Sequence, residues 1–364
     1  MKITVAMDSF KGSLTSLEAG NAVKIGILRT CPDAEVSVLP LADGGEGTLD
    51  CIAPFVGGSK ILLTVTGPSG TPVDSSYIYD PSDGCAYIEM ARASGLTLVR
   101  ESSRDPLTAT SYGTGELIAD AVRRGARKIF VFIGGSATND GGAGMLQALG
   151  VKLTDSSGTD IGTGAAGLKE LTCVDLSGLC LGDVSITAAC DVTNPLCGPD
   201  GASFVYGPQK GATPEMCAEM DLYLANFASV TGFSSDEPGT GAAGGISFAL
   251  KNLCGAVLMS GAEMVLAATA AEHEIKDSDM VITGEGRMDS QTVNGKAPYK
   301  ILELGLKYGK PVYGICGITG EGVERCIEAG FNKIMPLIRP VMERDEAIRS
   351  VAETAESLMR CQVR

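Results

Sequence analysis

Residues Arg127–Gly150 read RKIFVFIGGSATNDGGAGMLQALG, and this segment determines how we interpret the rest of the chain. The apolar run Ile129–Ile133 is typical of a strand buried on both faces, and the glycine-rich loop after it leads into a helix-forming sequence. Because a helix N-terminus carries unpaired N–H groups and partial positive charge, the loop is a candidate anion site to which Asn139 and Asp140 add polar side chains. A tight βα turn that needs glycine only for its shape is the alternative.

Length and charge restrict the class of protein. The chain has 364 residues, which suits two domains or one large α/β domain, and its formal net charge is −15 at pH 7. Its basic residues are scattered, whereas a nucleic-acid binder clusters Lys and Arg to neutralise phosphates. We therefore expect no nucleic-acid partner, although a few lysines and backbone amides can still bind ATP locally.

The cysteines and the N-terminal sequence indicate the cellular compartment, and the scarcity of histidine excludes two kinds of site. The 12 cysteines never form C-x-x-C, so we interpret them as reduced core thiols. The single histidine, His273, lies in a charged, helical-looking segment and is predicted at the surface, which excludes Ser-His-Asp catalysis and His-rich metal sites. Asp8 precedes any apolar segment of signal length, and no stretch suits a membrane-spanning helix, so we expect a cytoplasmic protein without a membrane partner.

Two strands near the N-terminus are each followed by a polar loop. The strand predicted at Lys2–Met7 precedes Lys11, and the strand predicted at Glu35–Pro40 precedes Asp43. Ligands of open α/β sheets bind at the carboxyl ends of the strands, so Lys11 is a candidate for an anion and Asp43 for Mg²⁺ or a hydroxyl group. A solvated lysine and an ordinary Gly-Asp turn are the alternatives.

A third polar cluster follows the strand predicted at Asp279–Gly284. It contains Glu285, Arg287, Asp289 and, a few residues later, Lys296. Solvated charge runs normally lack the flanking glycines found here, which favours a functional role for this cluster.

The middle of the chain differs in character from its ends. Residues Ile61–Met90 alternate between strand and turn sequences, as antiparallel strands do, whereas parallel-type strands alternating with helices return near the C-terminus. A further buried strand is predicted at Asp183–Asp191. Asp191 at its end and Lys210 are polar residues in otherwise apolar or glycine-rich sequence.

The sequence GTGAAG occurs at Gly162–Gly167 and again at Gly239–Gly244. Each copy has the spacing of a dinucleotide loop, but polar residues instead of a strand precede it, so we interpret both as flexible or closely packed loops. This context and the solitary His273 argue against a dehydrogenase of a small hydroxy acid. A Walker A motif is absent because Ala297 follows Gly295-Lys296.

Together, eight ordered motifs resemble the type I glycerate kinase family over nearly the whole chain. They are DSFKGS (Asp8–Ser13), PLADGGEGT (Pro40–Thr48), TSYGTGELI (Thr110–Ile118), GGSATNDGGAGMLQALG (Gly134–Gly150), CDVTNPLCG (Cys190–Gly198), GPQKGA (Gly207–Ala212), GTGAAGG (Gly239–Gly245) and ITGEGRMDSQTVNGKAP (Ile282–Pro298). The resemblance implies two different α/β domains with a cleft between them. One is a mainly parallel, flavodoxin/Rossmann-like sheet domain formed by both chain ends, which we place at 1–62 and 280–364, and the other is inserted at 63–279.

The resemblance also implies an activity. It is the ATP- and Mg²⁺-dependent phosphorylation of D-glycerate at the 2-hydroxyl, which yields 2-phosphoglycerate and ADP. The alternatives are a glycerate kinase that makes 3-phosphoglycerate, a hydroxy-acid dehydrogenase and a non-enzymatic binding protein that keeps the fold. The sequence does not determine the oligomeric state, so a homodimer is left open.

Phosphoryl transfer needs cations, Mg²⁺ and an acceptor for the hydroxyl proton, and these needs define the candidate site. Lys11, Lys210 and Lys296 would neutralise phosphate or the glycerate carboxylate, Arg287 would bind one of these groups through its guanidinium, and Asp191 would accept the proton. The candidates for Mg²⁺ or for the glycerate hydroxyls are Asp43, Glu285 and Asp289. The other candidates for substrate or nucleotide binding are Asp8, Ser9, Gly44, Gly45, Ser136, Asn139, Asp140 and Asn194.

Overall fold

A computed structural model of the chain describes residues 1–10, 12–339 and 343–362. The strands in these residues are β1 (Lys2–Met7), β2 (Glu35–Pro40), β3 (Ser59–Thr66), β4 (Pro72–Asp80), β5 (Cys85–Glu89), β6 (Lys128–Phe132), β7 (Lys152–Thr154), β8 (Cys173–Asp175), β9 (Ser185–Ala189), β10 (Val257–Met259), β11 (Met280–Met288), β12 (Val312–Thr319) and β13 (Lys333–Pro336). The helices are α1 (Ser16–Thr30), α2 (Thr48–Ile52), α3 (Ala91–Ser94), α4 (Tyr112–Arg123), α5 (Ala143–Ala148), α6 (Gly164–Gly167), α7 (Ala202–Tyr206), α8 (Pro214–Thr231), α9 (Ile246–Asn252), α10 (Gly261–Ala268), α11 (Ala271–Asp277), α12 (Ala297–Lys307), α13 (Glu324–Ala329) and α14 (Arg344–Gln362). The chain divides into two compact units: unit 1 comprises Met1–Asp43 and Ala262–Arg364, and unit 2 comprises Gly44–Gly261.

Unit 1 is built on a five-stranded parallel sheet with the order β13-β12-β11-β1-β2. Helix α1 begins with a capping box, in which the Thr15 hydroxyl accepts a hydrogen bond from the Glu18 N–H and the Glu18 carboxylate accepts one from the Thr15 N–H. The apolar face of α1 packs with α14, and Val23, Ile27 and Val351 are fully buried in the same core. The predicted parallel strands are confirmed.

Unit 2 contains a six-stranded sheet with the order β10-β9-β6-β5-β4-β3. Strands β5, β6, β9 and β10 are parallel, while β3 and β4 form an antiparallel hairpin that pairs with β5. The strand of the Arg127–Gly150 segment, β6, lies inside this sheet with Val131 and Phe132 fully buried. The predicted α/β class is confirmed, and so is the antiparallel stretch in the middle of the chain.

The boundaries of the units differ from the expected 62/63 and 279/280 and lie at 43/44 and 261/262. The segment after Asp43 belongs to unit 2 because the buried Glu89 carboxylate of β5 accepts hydrogen bonds from the N–H groups of Gly47 and Leu49. At the other boundary, α10 and α11 belong to unit 1. Contacts there include Glu263 of α10 with Lys300 of α12 at 3.2 Å.

Several predictions from composition can be compared with the structure directly. All 12 cysteines are free thiols, but Cys173, Cys180 and Cys361 are exposed, so the prediction that the cysteines are core residues is wrong for these three. The side chain of His273 is 75% exposed, as predicted. Among the described residues, we find no helix with both the length and the apolar character needed to span a membrane.

Candidate active site

The carboxyl edge of the unit 1 sheet carries one set of the predicted side chains. Met7 of β1 pairs with both Pro40 of β2 and Gly284 of β11, so Asp8 and Asp43 follow neighbouring strand ends. Parallel strands place such residues at one edge of the sheet, where ligands of open α/β sheets bind.

The two residues that follow β1 form a local turn. Asp8 donates its N–H to the Gly284 carbonyl at 2.8 Å, and its carboxylate accepts the N–H of Ser9 at 2.6 Å. Both residues are half-buried, whereas Asp43 is exposed. Lys11, the predicted cation of this loop, lies outside the described residues.

Strand β11 is longer than the sequence suggested. The sequence predicts its end at Gly284, but the strand continues to Met288, because β12 pairs with it as far as Arg287↔Ile318 and Met288↔Thr319. Glu285 and Arg287 are therefore strand residues, with the Glu285 side chain buried and Arg287 exposed.

Acids and cations alternate along the end of this strand and the loop after it, and they form a connected network. The Glu285 carboxylate accepts the Thr292 hydroxyl at 2.7 Å and lies 3.3 Å from Lys296 Nζ. Asp289 lies 3.1 Å from Arg287 Nε and 3.9 Å from Lys296 Nζ. The side chains of Lys296 and Arg287 remain 37% and 60% exposed, so an incoming anion can compete with these carboxylates for both cations.

Unit 2 presents a second set at the carboxyl edge of its own sheet. Asp191 follows β9 by two residues, is exposed, and both its carboxylate oxygens lie 3.1 Å from the N–H of Gly261, which follows β10. A backbone donor thus orients the carboxylate while leaving part of it exposed to solvent, as required of a group that accepts a proton from a substrate.

Glycines allow close packing of the backbone beside Asp191. Gly44 is buried at a φ of +79°, and a Cβ there would lie 2.8 Å from the Ala189 side chain and 3.2 Å from Gly261 Cα. Gly45 is similarly close to Gly134, where a Cβ would lie 2.6 Å from the Gly45 Cα. Gly44 therefore shapes the site through the absence of its side chain, and Gly45 lies where a side chain at Gly134 would not fit.

The glycine-rich loop after β6 contains its own anion. Asp140 is fully buried, and its carboxylate accepts hydrogen bonds from the N–H and hydroxyl of Ser111, both at 2.8 Å, and from the N–H groups of Gly142 and Gly144. Burial raises the pKa of Asp140, and these four hydrogen bonds oppose that shift. The N–H groups at the start of α5, which the sequence indicates as a candidate anion site, are therefore occupied by Asp140 and Ser111 of the protein itself.

Lys210 supports the same loop from inside. Only 2% of the residue is exposed, and its Nζ donates to the Thr138 carbonyl at 2.6 Å and to the Ser136 hydroxyl at 3.5 Å. Burial lowers the pKa of Lys210 to about 7, although Asp140 opposes the shift. The sequence suggested a lysine that meets a ligand, but the structure shows one that holds the backbone of the loop.

Two asparagines also bind protein groups. Asn139 is fully buried and donates to the Ser203 hydroxyl at 2.8 Å. Asn194 donates to the Asp200 carbonyl and accepts the Tyr206 hydroxyl at 2.6 Å. Both side chains therefore fix loops at this edge of the unit 2 sheet.

Comparison with known proteins agrees with the resemblance found in the sequence. The family model described as the glycerate kinase family matches residues 3–364. The chain belongs to the glycerate kinase family. It is 46% identical over 356 residues to glycerate 2-kinase of Escherichia coli (strain K12), covering 96% of this chain and 93% of that protein. It is 43% identical to glycerate kinase of Bacillus subtilis (strain 168), with 99% and 96% covered.

A solved structure extends this similarity to the fold. A crystal structure from Salmonella typhimurium LT2, of a protein provisionally named glycerate kinase 2, matches with a TM-score of 0.90 and 44% identity. The match covers 100% of this chain and 98% of that one. The backbone described above is therefore that of a glycerate kinase family member.

Sequence reasoning missed two residues of this glycerate kinase family member. Glu89 is a buried acid at the end of β5 that accepts two backbone N–H groups, and its only sequence signal is a carboxylate in an apolar strand. Arg104 donates to the Gln209 carbonyl at 3.1 Å, next to Lys210 in the chain. Its signal was an arginine beside an acid in the loop segment Ser103-Arg104-Asp105-Pro106.

Proposed function

We propose that the protein transfers the γ-phosphoryl group of ATP to the 2-hydroxyl of D-glycerate, giving 2-phosphoglycerate and ADP. The observation that carries this proposal is the family match over residues 3–364, together with the name glycerate 2-kinase borne by the E. coli relative. The two carboxyl edges support it, because they supply the acid and the cations that phosphoryl transfer requires.

Asp191 is the proposed acceptor of the 2-hydroxyl proton. Its exposure and its contact with the Gly261 N–H support this role, since a general base must be both accessible and oriented. Gly44, whose side-chain position is filled by Ala189 and Gly261, supports the backbone geometry around it.

Lys296 and Arg287 are the proposed cations for the γ-phosphate or the substrate carboxylate. In the structure each pairs with Glu285 or Asp289, so binding of an anion would exchange one negative partner for another. Lys11 is proposed for the same task, and Asp8, Ser9 and Asn194 are proposed to shape the loops that receive the substrates. Asp140 and Lys210 are proposed to hold the Ser136–Thr138 loop and not to contact substrate, because both are buried.

Mg²⁺ is proposed to arrive with ATP as part of the substrate. No group of three or more His, Cys, Asp or Glu side chains within the described ranges is arranged as a metal site. Mg²⁺ usually keeps several waters and takes one or two protein carboxylates plus phosphate oxygens. The exposed Asp43, and Glu285 or Asp289 once their cations turn to the phosphate, are the proposed oxygen donors.

The test is direct. Purified protein is incubated with ATP, Mg²⁺ and D-glycerate, and phosphorus NMR identifies the product, with enolase coupling as a second measurement because enolase consumes only 2-phosphoglycerate. We expect 2-phosphoglycerate and no product without D-glycerate. Formation of 3-phosphoglycerate would contradict phosphorylation at the 2-hydroxyl. Reduction of a nicotinamide cofactor that depends on D-glycerate but consumes no ATP would contradict the kinase activity.

The free thiols and the net charge support a cytoplasmic location and small-molecule partners. Twelve free thiols suit the reducing cytoplasm, and the net charge of −15 suits small-molecule substrates and no nucleic acid. Light scattering of the purified protein tests the homodimer that the sequence leaves open.

A further inference from the structure

A small cavity lies beside the glycine-rich loop of unit 2. Its volume is about 240 Å³, and its lining includes Ser69, Val99, Arg104, Thr108 and Ala137. We call it the Arg104 cavity. Ligand sites for drug-sized molecules span roughly 300–1,000 Å³, so this one suits a molecule smaller than a nucleotide.

The sheet topology places this cavity at the same edge as Asp191. Val99 follows the carboxyl end of β5, and Ala137 follows that of β6. Strand β4 runs antiparallel to β5, so the β3–β4 turn that holds Ser69 lies at this edge as well. Asp191 follows β9, the parallel neighbour of β6.

The polar lining suits a carboxylate with a neighbouring hydroxyl group. Arg104 is half-buried and donates one Nη1–H to the Gln209 carbonyl, while its buried Nε has no acceptor among the described residues. A guanidinium can offer a carboxylate two parallel N–H groups. The hydroxyls of Ser69, Ser103 and Thr108 and the Asp105 carboxylate line the same space and can bond hydroxyl groups of a ligand.

Asp105, the acidic residue of the lining, already accepts hydrogen bonds from its own loop. Asp105 accepts the Leu107 N–H at 3.1 Å and the Thr108 hydroxyl at 2.7 Å. These donors partly compensate the charge of Asp105. Among the described residues that line the cavity, the Arg104 guanidinium is the only cationic side chain.

We propose that the Arg104 cavity binds the acceptor substrate, a three-carbon hydroxy acid, with Arg104 on its carboxylate and the hydroxyl-bearing side chains on one of its hydroxyl groups. This assignment rests on the proposed function, which makes that acid D-glycerate. Arg104 donates to the carbonyl of Gln209, the residue before Lys210, and Lys210 donates to the Thr138 carbonyl. A ligand in the cavity therefore also stabilises the glycine-rich loop.

Steady-state kinetics of Arg104→Met test the assignment. We expect the KM for D-glycerate to rise roughly 10- to 100-fold, the range for loss of hydrogen bonds to a charged group, while the KM for ATP stays within about twofold. Arg104→Lys keeps the charge but not the paired donors, so an intermediate KM is expected. Arg100→Met is the matched control, since Arg100 is an exposed arginine four residues earlier and lies outside the lining.

A second variant tests the cavity independently, in case Arg104→Met does not fold. Ser69 is an exposed residue of the β3–β4 turn, so Ser69→Phe should fill the cavity without disturbing the core, and Thr71→Phe is its control. Ser69→Phe is expected to raise the KM for D-glycerate and leave that for ATP unchanged. If both Ser69→Phe and a folded Arg104→Met keep the KM for D-glycerate within about twofold of wild type, the assignment is overturned.

Calorimetry separates this assignment from the proposed function. D-glycerate is titrated into wild type, Arg104→Met and Arg100→Met in the presence of Mg²⁺ and a non-hydrolysable ATP analogue, with glycerol as the ligand lacking a carboxylate. Binding of D-glycerate, but not glycerol, that requires Arg104 supports the cavity even if no phosphoglycerate forms. Phosphorylation of D-glycerate with unchanged binding in Arg104→Met rejects the cavity and keeps the function.

Discussion

Asp191 is the residue whose replacement should affect the chemical step most directly. In Asp191→Asn the amide oxygen can still accept the Gly261 N–H, so the fold and the melting temperature should change little. Loss of a general base should lower kcat by roughly 10²- to 10⁴-fold. Asp200→Asn, an exposed aspartate in the loop that follows, is the control and should keep its activity. Wild-type turnover in Asp191→Asn would remove this residue from the role.

Lys210 should make stability depend on pH in a defined direction. Its pKa is about 7 in the folded protein against 10.5 for an ordinary lysine, so between these values the unfolded chain binds a proton that the folded chain lacks. The free energy of unfolding therefore rises with pH across this window, by about 1 kcal/mol per pH unit. In Lys210→Met the free energy of unfolding should no longer show this increase with pH. In Lys169→Met, a substitution at an exposed lysine, the increase should remain.

Urea unfolding at a series of pH values between about 7 and 10 measures this effect of Lys210. The quantity compared is the difference in unfolding free energy between wild type and each variant, which cancels the titration of all other groups. Parallel pH profiles for wild type and Lys210→Met would show that Lys210 keeps its proton in the folded state.

The element formed by β6, its loop and α5 depends on one buried carboxylate. Asp140→Ala would leave the donors of Ser111, Gly142 and Gly144 without their acceptor, and we expect a loss of roughly 3 kcal/mol in unfolding free energy. Asp155→Ala removes an aspartate that also caps backbone N–H groups, but at an exposed turn, so its cost should stay below about 1 kcal/mol. Equal losses in urea unfolding would contradict this account of the loop.

The partners of Asp140 and Lys210 explain why their burial was not predictable from the sequence. Asp140 bonds to Ser111, 29 positions away, and Lys210 bonds to Thr138, 72 positions away. A sequence pattern shows that a residue is polar and follows a strand, but not which distant donor or acceptor it will meet. Local signals were more informative: the bounds of β1 and β2 were predicted correctly.

Strand β11 shows the same limit at its carboxyl end. Gly284-Glu285-Gly286 has the composition of a loop, since glycine and charge are depleted in strands. The structure uses Gly284 for close approach, because a Cβ there would overlap the Ile315 carbonyl of β12. Pairing with a strand about 30 residues later therefore overrides the local preference, and only the tertiary structure reveals it.

The proposed chemistry divides its groups between the two units, with the candidate base in unit 2 and the candidate cations in unit 1. If Asp191 and Lys296 serve one reaction, their effects on catalysis should not be independent. We expect Lys296→Ala to lower kcat/KM by roughly 10- to 100-fold through loss of charge neutralisation. Lys276→Ala, at an exposed lysine of α11 in the same unit, is the control and should be silent.

The double variant decides whether the two residues act together. Residues that act as a unit in catalysis lose much less together than the product of their separate losses. We therefore expect kcat/KM of Asp191→Asn/Lys296→Ala to lie close to that of Asp191→Asn alone, because the cation stabilises charge only in a transition state that the base helps to reach. Losses that multiply fully, measured with D-glycerate and ATP both varied, would mean that the two units contribute to separate steps.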